Sequence, residues 1–309
     1  MSSSQKVDTK AVSQPRTLAQ VGARRTFASM AWRRFRKNKL AMLGLAVLII
    51  IVTIALSAGL ISRFVTGFTP SQQSLMTAYS GVGENGHLLG SDDVGRDVAT
   101  RLAYGARVSL GVAGLAVLGA VTIGLLVGLS SGFYGGWLDS VLMRFVDMVL
   151  AIPTIFLLLL VATMFVMGPL MLAGLIAAVA WVVLSRLVRG EVISLRNREF
   201  IEAARVMGAR NNRLIFRHIL PNVLPVVIVW ASLAVPGLIL TEAALSYLGL
   251  GVRPPTPSWG NMLTTAQRVW VRSPTLAIFP GLAIYITVFA INLMGNGLRD
   301  ALDPRLNDK

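Results

Sequence analysis

Long apolar runs alternate with polar connections along most of this chain. Six runs, near residues 40–62, 108–132, 145–167, 170–188, 222–248 and 276–297, reach the roughly 20 residues that a helix needs to cross a hydrocarbon core. The pattern predicts an all-α, polytopic membrane protein of six spanning helices. The first run, from Leu40 to Ile61 with Arg63 just beyond, is too long and lies too far along the chain for a cleaved signal peptide, so it reads as an uncleaved span. Pro153, Pro236 and Pro280 fall inside runs, where each removes a backbone hydrogen bond and favours a kink. Gly124, Gly128 and Gly132 recur every four residues in the second run, a ridge that lets a neighbouring helix approach closely and reads first as ordinary packing.

Composition supports a lipid environment. Of 309 residues, 54% are apolar and 14% charged, and the mean hydropathy is +0.68; a typical soluble domain has roughly 25% charged residues. This excludes a soluble enzyme, a disordered scaffold and, with no Cys, a secreted disulfide module. The net charge of +15 is unevenly spread. Residues 1–39 hold ten Lys or Arg against Asp8 alone, and residues 186–217 hold eight Arg against Glu191, Glu199 and Glu202. Basic blocks beside apolar runs mark the cytoplasmic side, whereas no motif or aromatic platform points to nucleic acid.

Placing residues 1–39 in the cytoplasm puts segments 63–107, 168–169 and 249–275 outside, and 133–144, 189–221 and 298–309 inside. Phe64 to Gly95 contains no Lys or Arg, as an outer segment requires, and the Arg-rich block falls inside. The expected organisation is a basic cytoplasmic tail (1–39), a first span with its outer loop (40–107), a five-span core (108–297) and a cytoplasmic C-terminal segment (298–309), with both termini cytoplasmic. Residues 1–30, rich in Ser, Gln and Lys, read as a flexible tail that could lie on anionic lipid.

The connection at 189–221 is long for a loop between spans and has a pattern of its own. Residues near 195–207 suit a helix with Phe200, Ala203, Ala204 and Met207 at helical spacing. Gly208 suits a left-handed position after it. Asn211 or Asn212 can cap a second helix through Leu214, Ile215 and Ile219, which Pro221 then stops. On physical grounds alone, this helix-turn-helix fits either a docking element or a segment lying on lipid headgroups.

The same residues carry a resemblance. Glu202-Ala203-Ala204, Gly208 and Leu220-Pro221 stand at the spacing of the signature of permease subunits of ATP-binding-cassette importers. His218 occupies a place where that signature has Ile, with Ile219 next to it. Further motifs are similar to dipeptide/oligopeptide permeases of the C type. They are Leu89 to Asp97 with Tyr104 to Arg107, Tyr134-Gly135-Gly136 with Met143-Arg144 and Asp147, Tyr247 to Gly251 with Pro254 to Gly260, and Asn292 to Asp300 with Leu302-Asp303-Pro304. The similarity covers roughly residues 30–306.

The resemblance implies that Glu202, Ala203, Ala204, Arg205, Gly208, Leu220 and Pro221 form a coupling loop for cytoplasmic ATPases. It implies as partners a second homologous permease, two ATP-binding subunits that hold ATP and Mg, an extracytoplasmic peptide-binding protein and the bilayer. The expected function is half of the pore of an ATP-driven peptide importer in the cytoplasmic membrane. The alternatives are an importer of nickel chelates or other small solutes, an ion-driven secondary transporter, and a structural anchor for another complex.

No cofactor or metal is expected on this chain. Its five lysines stand at 6, 10, 37, 39 and 309 with no Gly-Lys pair, so a phosphate-binding loop is excluded. His87 and His218, the only histidines, fall on opposite sides of the expected membrane, and no nucleophile has a base beside it. Arg144 and Asp147 are spaced to pair on one helix face, as a structural pair near the headgroups. Glu242, Ser232 and Pro236 are candidate substrate-path residues of the fifth span. Glu242 lies roughly 30 Å along that helix from Pro221, so a packing role at the outer rim stays open beside the substrate reading.

Overall fold

The computed structural model describes residues 27–302. The expectations for residues 1–26 and for the last residues of the C-terminal segment lie outside them. The described residues form helices and connections, with no β-strand among them. The expected tail is not featureless. Helix α1, Phe27–Lys37, buries Ala31 and Phe35 and turns Trp32, Arg33, Arg36 and Lys37 outward. Phe35 packs in a small core with Ala41 and Ala301.

Helix α2, Lys39–Leu56, starts where Asn38 accepts the N–H of Ala41 at 3.1 Å. It continues through Ala58–Leu60 and a wide turn, Ile61–Thr66, to Gly67, which has a φ of +74°. Helix α3, Val98–Tyr134, begins ten residues before the expected second span. Asp97 caps it by accepting Thr100 N–H at 2.7 Å, and buried Thr100 and Arg101 carry the helix through polar sequence that hydropathy alone reads as loop. Helix α4, Gly136–Ala151, and helix α5, Thr154–Met164, stand where the third span was expected. This stretch too starts earlier than expected, at Gly136 rather than 145. Helix α6, Pro169–Arg196, is followed by helix α7, Glu199–Val206. Helix α8, Leu220–Tyr247, helix α9, Trp259–Arg268, and helix α10, Thr275–Leu302, complete the chain.

Five helices are long and apolar enough to cross a membrane, and the α4–α5 pair, bent by 84°, is a sixth crossing if taken as one span. The break falls at Pro153, where Ile152 takes an extended conformation because the proline ring disfavours a helical residue before it. Pro236 and Pro280 behave differently. Both lie inside continuous helices and are buried, so neighbouring helices cover the carbonyls that they free.

The bundle is organised around α3 and α6, its most extensive pairing. The glycine ridge explains that pairing. A Cβ at Gly124 would meet Leu184 at 3.0 Å, one at Gly128 would meet Val188 at 2.6 Å, and one at Gly132 would meet Val192 at 2.8 Å. On the other side α2 packs on α10, where a Cβ at Gly44 would come within 2.5 Å of the Ala290 carbonyl. At the end opposite the Arg-rich block, the segment before α3 is tied down by polar contacts. Asp92 accepts from Arg96 Nε at 2.6 Å, His87 Nδ1 lies 2.9 Å from Asp97 Oδ1, and the hydroxyls of Thr66 and Thr100 are 2.7 Å apart.

Candidate functional site: a braced helical elbow

At the Arg-rich end the chain leaves α6, breaks at Asn197–Arg198 and re-enters as α7. The single helix expected over 195–207 is therefore two. The turn after α7 follows expectation: Gly208 has a φ of +83°, and the N–H groups of Gly208 and Ala209 donate to the carbonyls of Arg205 and Ala204. The second arm is a turn over Asn211–Arg213 and a wide turn over Leu214–Ile219. Neither Asn211 nor Asn212 caps it. Arg210 takes the cap position through its extended backbone.

Pro221 does not stop the pattern. Residues 211–247 form one continuous helical rod. Proline lacks the N–H that a regular turn would need and crowds the carbonyl four residues back. The wide turn immediately before it gives the room, so the helix passes into α8.

The elbow is braced from inside. Ile201 and Ala204 of α7, with Leu214, Ile215 and Ile219 of the second arm, bury against Leu129 and Phe133 of α3, Val188 and Val192 of α6 and Val223 of α8. The inward anchor is thus Ile201 with Ala204, the one member of the expected stripe that turns in, and not Phe200, Ala203 or Met207. Those residues sit outside, because the start of α7 after the break sets the helix face. Val206 and Met207 are 89% and 81% exposed, and Phe200 and Phe216 are exposed beside them. Glu202, Ala203, Arg205 and Gly208 share this open surface, with Pro221 exposed and Leu220 half-buried. An apolar edge this open on a rigid support is unusual unless something covers it.

Charged contacts that the sequence reading missed fix the base of the elbow. Arg189 of α6 donates from Nε and Nη2 to Asp139 of α4 at 2.5 and 2.6 Å. Arg196 Nη1 donates to the carbonyls of Gly132 and Phe133, both at 3.2 Å, meeting acceptors at the end of α3 that its own helix leaves unused. Asp147 was expected to pair with Arg144 and instead accepts a hydrogen bond from Arg186 of α6, while Arg144 is exposed. Close approach of α4 and α6 supplies a cation from another element. A cavity of about 760 Å³ opens at the same end, lined by Leu187, Glu191, Pro221, Asn222, Trp230 and Arg299 among others.

The three substrate-path candidates are not gathered on an open wall within this chain. Glu242 and Pro236 are buried. Ser232 donates to the Val229 carbonyl at 2.8 Å and faces Gly295 of α10. Helix packing, rather than a cavity, takes up this face of α8. Among the described residues no group of three His, Cys, Asp or Glu could hold a metal.

A bundle of spanning helices with a braced elbow at one end belongs to the multi-span membrane proteins. Comparison with known proteins narrows the class. Residues 120–308 match the family described as the binding-protein-dependent transport system inner membrane component, and residues 26–81 match the N-terminal TM domain of oligopeptide transport permease C. The chain is 42% identical over 278 residues to the dipeptide transport system permease protein DppC of Alkalihalophilus pseudofirmus, covering 89% of each chain. It is 42% identical over 275 residues to the oligopeptide transport system permease protein OppC of Escherichia coli K12, covering 89% of this chain and 90% of that one. It is 41% identical over 282 residues to the glutathione transport system permease protein GsiD of Pectobacterium atrosepticum, at 89% and 90% coverage. The chain belongs to the inner-membrane components of binding-protein-dependent transport systems, and is a multi-pass membrane permease of the ATP-binding-cassette class.

Proposed function

We propose that this chain forms half of the translocation pore of an ATP-driven importer of dipeptides or oligopeptides, with a second homologous permease as the other half. The observation that carries the reading is the elbow: an uncovered apolar edge, Phe200, Val206, Met207 and Phe216, held on a buried brace at the signature Glu202-Ala203-Ala204…Gly208. Relatives named for dipeptide, oligopeptide and glutathione transport support a peptide cargo, since glutathione is itself a small peptide.

In this reading the elbow lies in the cytoplasm and docks on a pair of ATPase subunits, which bind ATP and Mg and perform the hydrolysis. The permease contributes no catalytic group. Both termini are cytoplasmic, and segments 63–107 and 249–275 face an extracytoplasmic peptide-binding protein. Closure of the ATPase pair displaces the elbow. Because Leu214, Ile215 and Ile219 are packed into the same core as α3, α6 and α8, the helices move with it and the pore turns outward. Hydrolysis returns the inward-open state, for which the 760 Å³ cavity at the elbow end supplies an exit. The ATPase affects the pore only through contacts that differ between the two states.

The test joins co-purification to crosslinking. Extraction in mild detergent is expected to bring down two ATPases carrying phosphate-binding loops and a second permease. A Met207→Cys variant is expected to crosslink to an ATPase subunit, with vanadate abolishing uptake. Uptake indifferent to vanadate, or a Met207→Cys site that crosslinks to nothing, would remove the reading.

A further inference from the structure

At the end of the bundle remote from the elbow, three backbone amides of the segment after α8 donate to three serine hydroxyls. Val252 N–H donates to Ser246 Oγ at 3.1 Å, Trp259 N–H to Ser109 Oγ at 3.2 Å and Asn261 N–H to Ser258 Oγ at 3.2 Å. Ser246 belongs to α8, Ser109 to α3, and Ser258 caps α9. A hydroxyl that accepts in this way still has its proton to donate. One of these hydroxyls, that of Ser246, turns to the Glu242 carboxyl. Ser246 donates to Oε1 at 2.7 Å. Glu242 Oε2 carries no formed hydrogen bond among the described residues.

Glu242 is fully buried. A carboxyl at such a place is costly unless its lone pairs are met, so its presence calls for something that it holds. The surroundings are closed around it. A Cβ at Gly260 would come within 2.6 Å of the Ala243 carbonyl, one at Gly251 within 2.6 Å of Ser246 N, and one at Gly105 within 3.0 Å of Trp259 Cδ1. Asn261 completes the joint by donating to the carbonyls of Val252 and Thr256 at 3.0 and 2.8 Å. Glu242 also stands on the rod that begins in the elbow, since residues 211–247 are one continuous helix. At 1.5 Å per residue that rod is about 55 Å long.

We infer that Glu242 is the positioning residue that, through Ser246, fastens the outer segment 249–268 to this rod, so that displacement of the elbow reaches the opposite face as displacement of α9. The inference rests on the coupling role proposed for the elbow. It replaces a substrate contact with a mechanical one: the carboxyl holds the Ser246 hydroxyl, which holds the outer segment at Val252, and no cargo need touch it. Glutamine is nearly isosteric but offers one acceptor oxygen in place of two, its NH₂ being a donor only.

The experiment uses the whole transporter in liposomes, with its partner permease, ATPases and binding protein, trialanine as cargo, and Gln267→Cys in exposed α9 as a reporter. In the parent complex, maleimide labelling at position 267 is expected to differ between the nucleotide-free and vanadate-trapped states. Glu242→Gln is expected to abolish that difference and to lower stimulation of ATP hydrolysis by the binding protein by about tenfold, the scale of one lost hydrogen bond, with the ATPases still co-purifying. Glu242→Gln retaining both the labelling difference and the stimulation would overturn the inference. Should that variant fail to assemble, Ser246→Ala decides, because it removes the hydroxyl that joins Glu242 to Val252: loss of the labelling difference supports the joint, and retention overturns it. If the parent complex lacks ATPases or any vanadate-dependent labelling, it is the coupling reading itself that fails.

Discussion

Gly208 sits at a φ of +83° with nothing within 4 Å of the position a Cβ would take. The demand for glycine is therefore one of backbone conformation, not of space. A β-branched residue in this left-handed region costs roughly 1–2 kcal/mol, enough to reshape the turn between the arms of the elbow. Gly208→Val is expected to leave ATP hydrolysis running with much less uptake, read by comparing the two rates in proteoliposomes; normal uptake would count against a docking role for the turn. The arginines divide in the same residue-by-residue way. Arg189 is half-buried and bidentate to Asp139, whereas Arg144 is exposed. Arg189→Ala is expected to lower stability in detergent by about 1–2 kcal/mol, the range for hydrogen bonds to charged groups, while Arg144→Ala leaves the melting temperature unchanged.

Among the elements, the α3–α6 pair shows how a spacing becomes a contact. Gly124, Gly128 and Gly132 form one stripe of α3, and Leu184, Val188 and Val192 of α6 lie within 3.0 Å of where their Cβ atoms would be. Gly111 on the same helix has open space instead. Gly128→Leu is expected to overpack the seam by roughly 1–3 kcal/mol or more, giving a lower melting temperature and poor yield, with Gly111→Ala close to the parent. Equal effects at the two positions would mean that the ridge is not the seam. Helix α8 makes a second point about elements. Its prolines do not segment it, because a wide turn precedes Pro221 and neighbouring helices bury Pro236; Pro153, with neither compensation, breaks the expected third span outright.

For the whole molecule, the decisive property is polarity across the bilayer. The proposed orientation places the elbow inside and α9 outside. A membrane-impermeant maleimide applied to intact cells is expected to label Gln267→Cys and to spare Met207→Cys until the membrane is opened. Reversed labelling would invert the topology and remove the elbow from any cytoplasmic partner. The two ends are joined by the rod from residue 211 to 247, the route by which the proposed coupling would carry a displacement from one face to the other.

Five of the crossings, the Arg-rich block beside the elbow, the glycine stripe and the left-handed turn at Gly208 were all readable along the chain. Each depends on hydropathy, charge or conformational preference within a window of about one helix length, and such local properties persist whatever the helix packs against. The class of transporter was readable too, from Glu202-Ala203-Ala204, Gly208 and Leu220-Pro221 at their spacing. Tertiary structure alone decided that Asp147 takes its partner from α6, that Ile201 rather than Phe200 points inward, that α3 runs on through Thr100 and Arg101, and that Glu242 is fully buried and bonded to Ser246, which also accepts from Val252. Those outcomes depend on which distant segment lies across the interface, and a buried polar group takes whatever partner packing brings within hydrogen-bond distance.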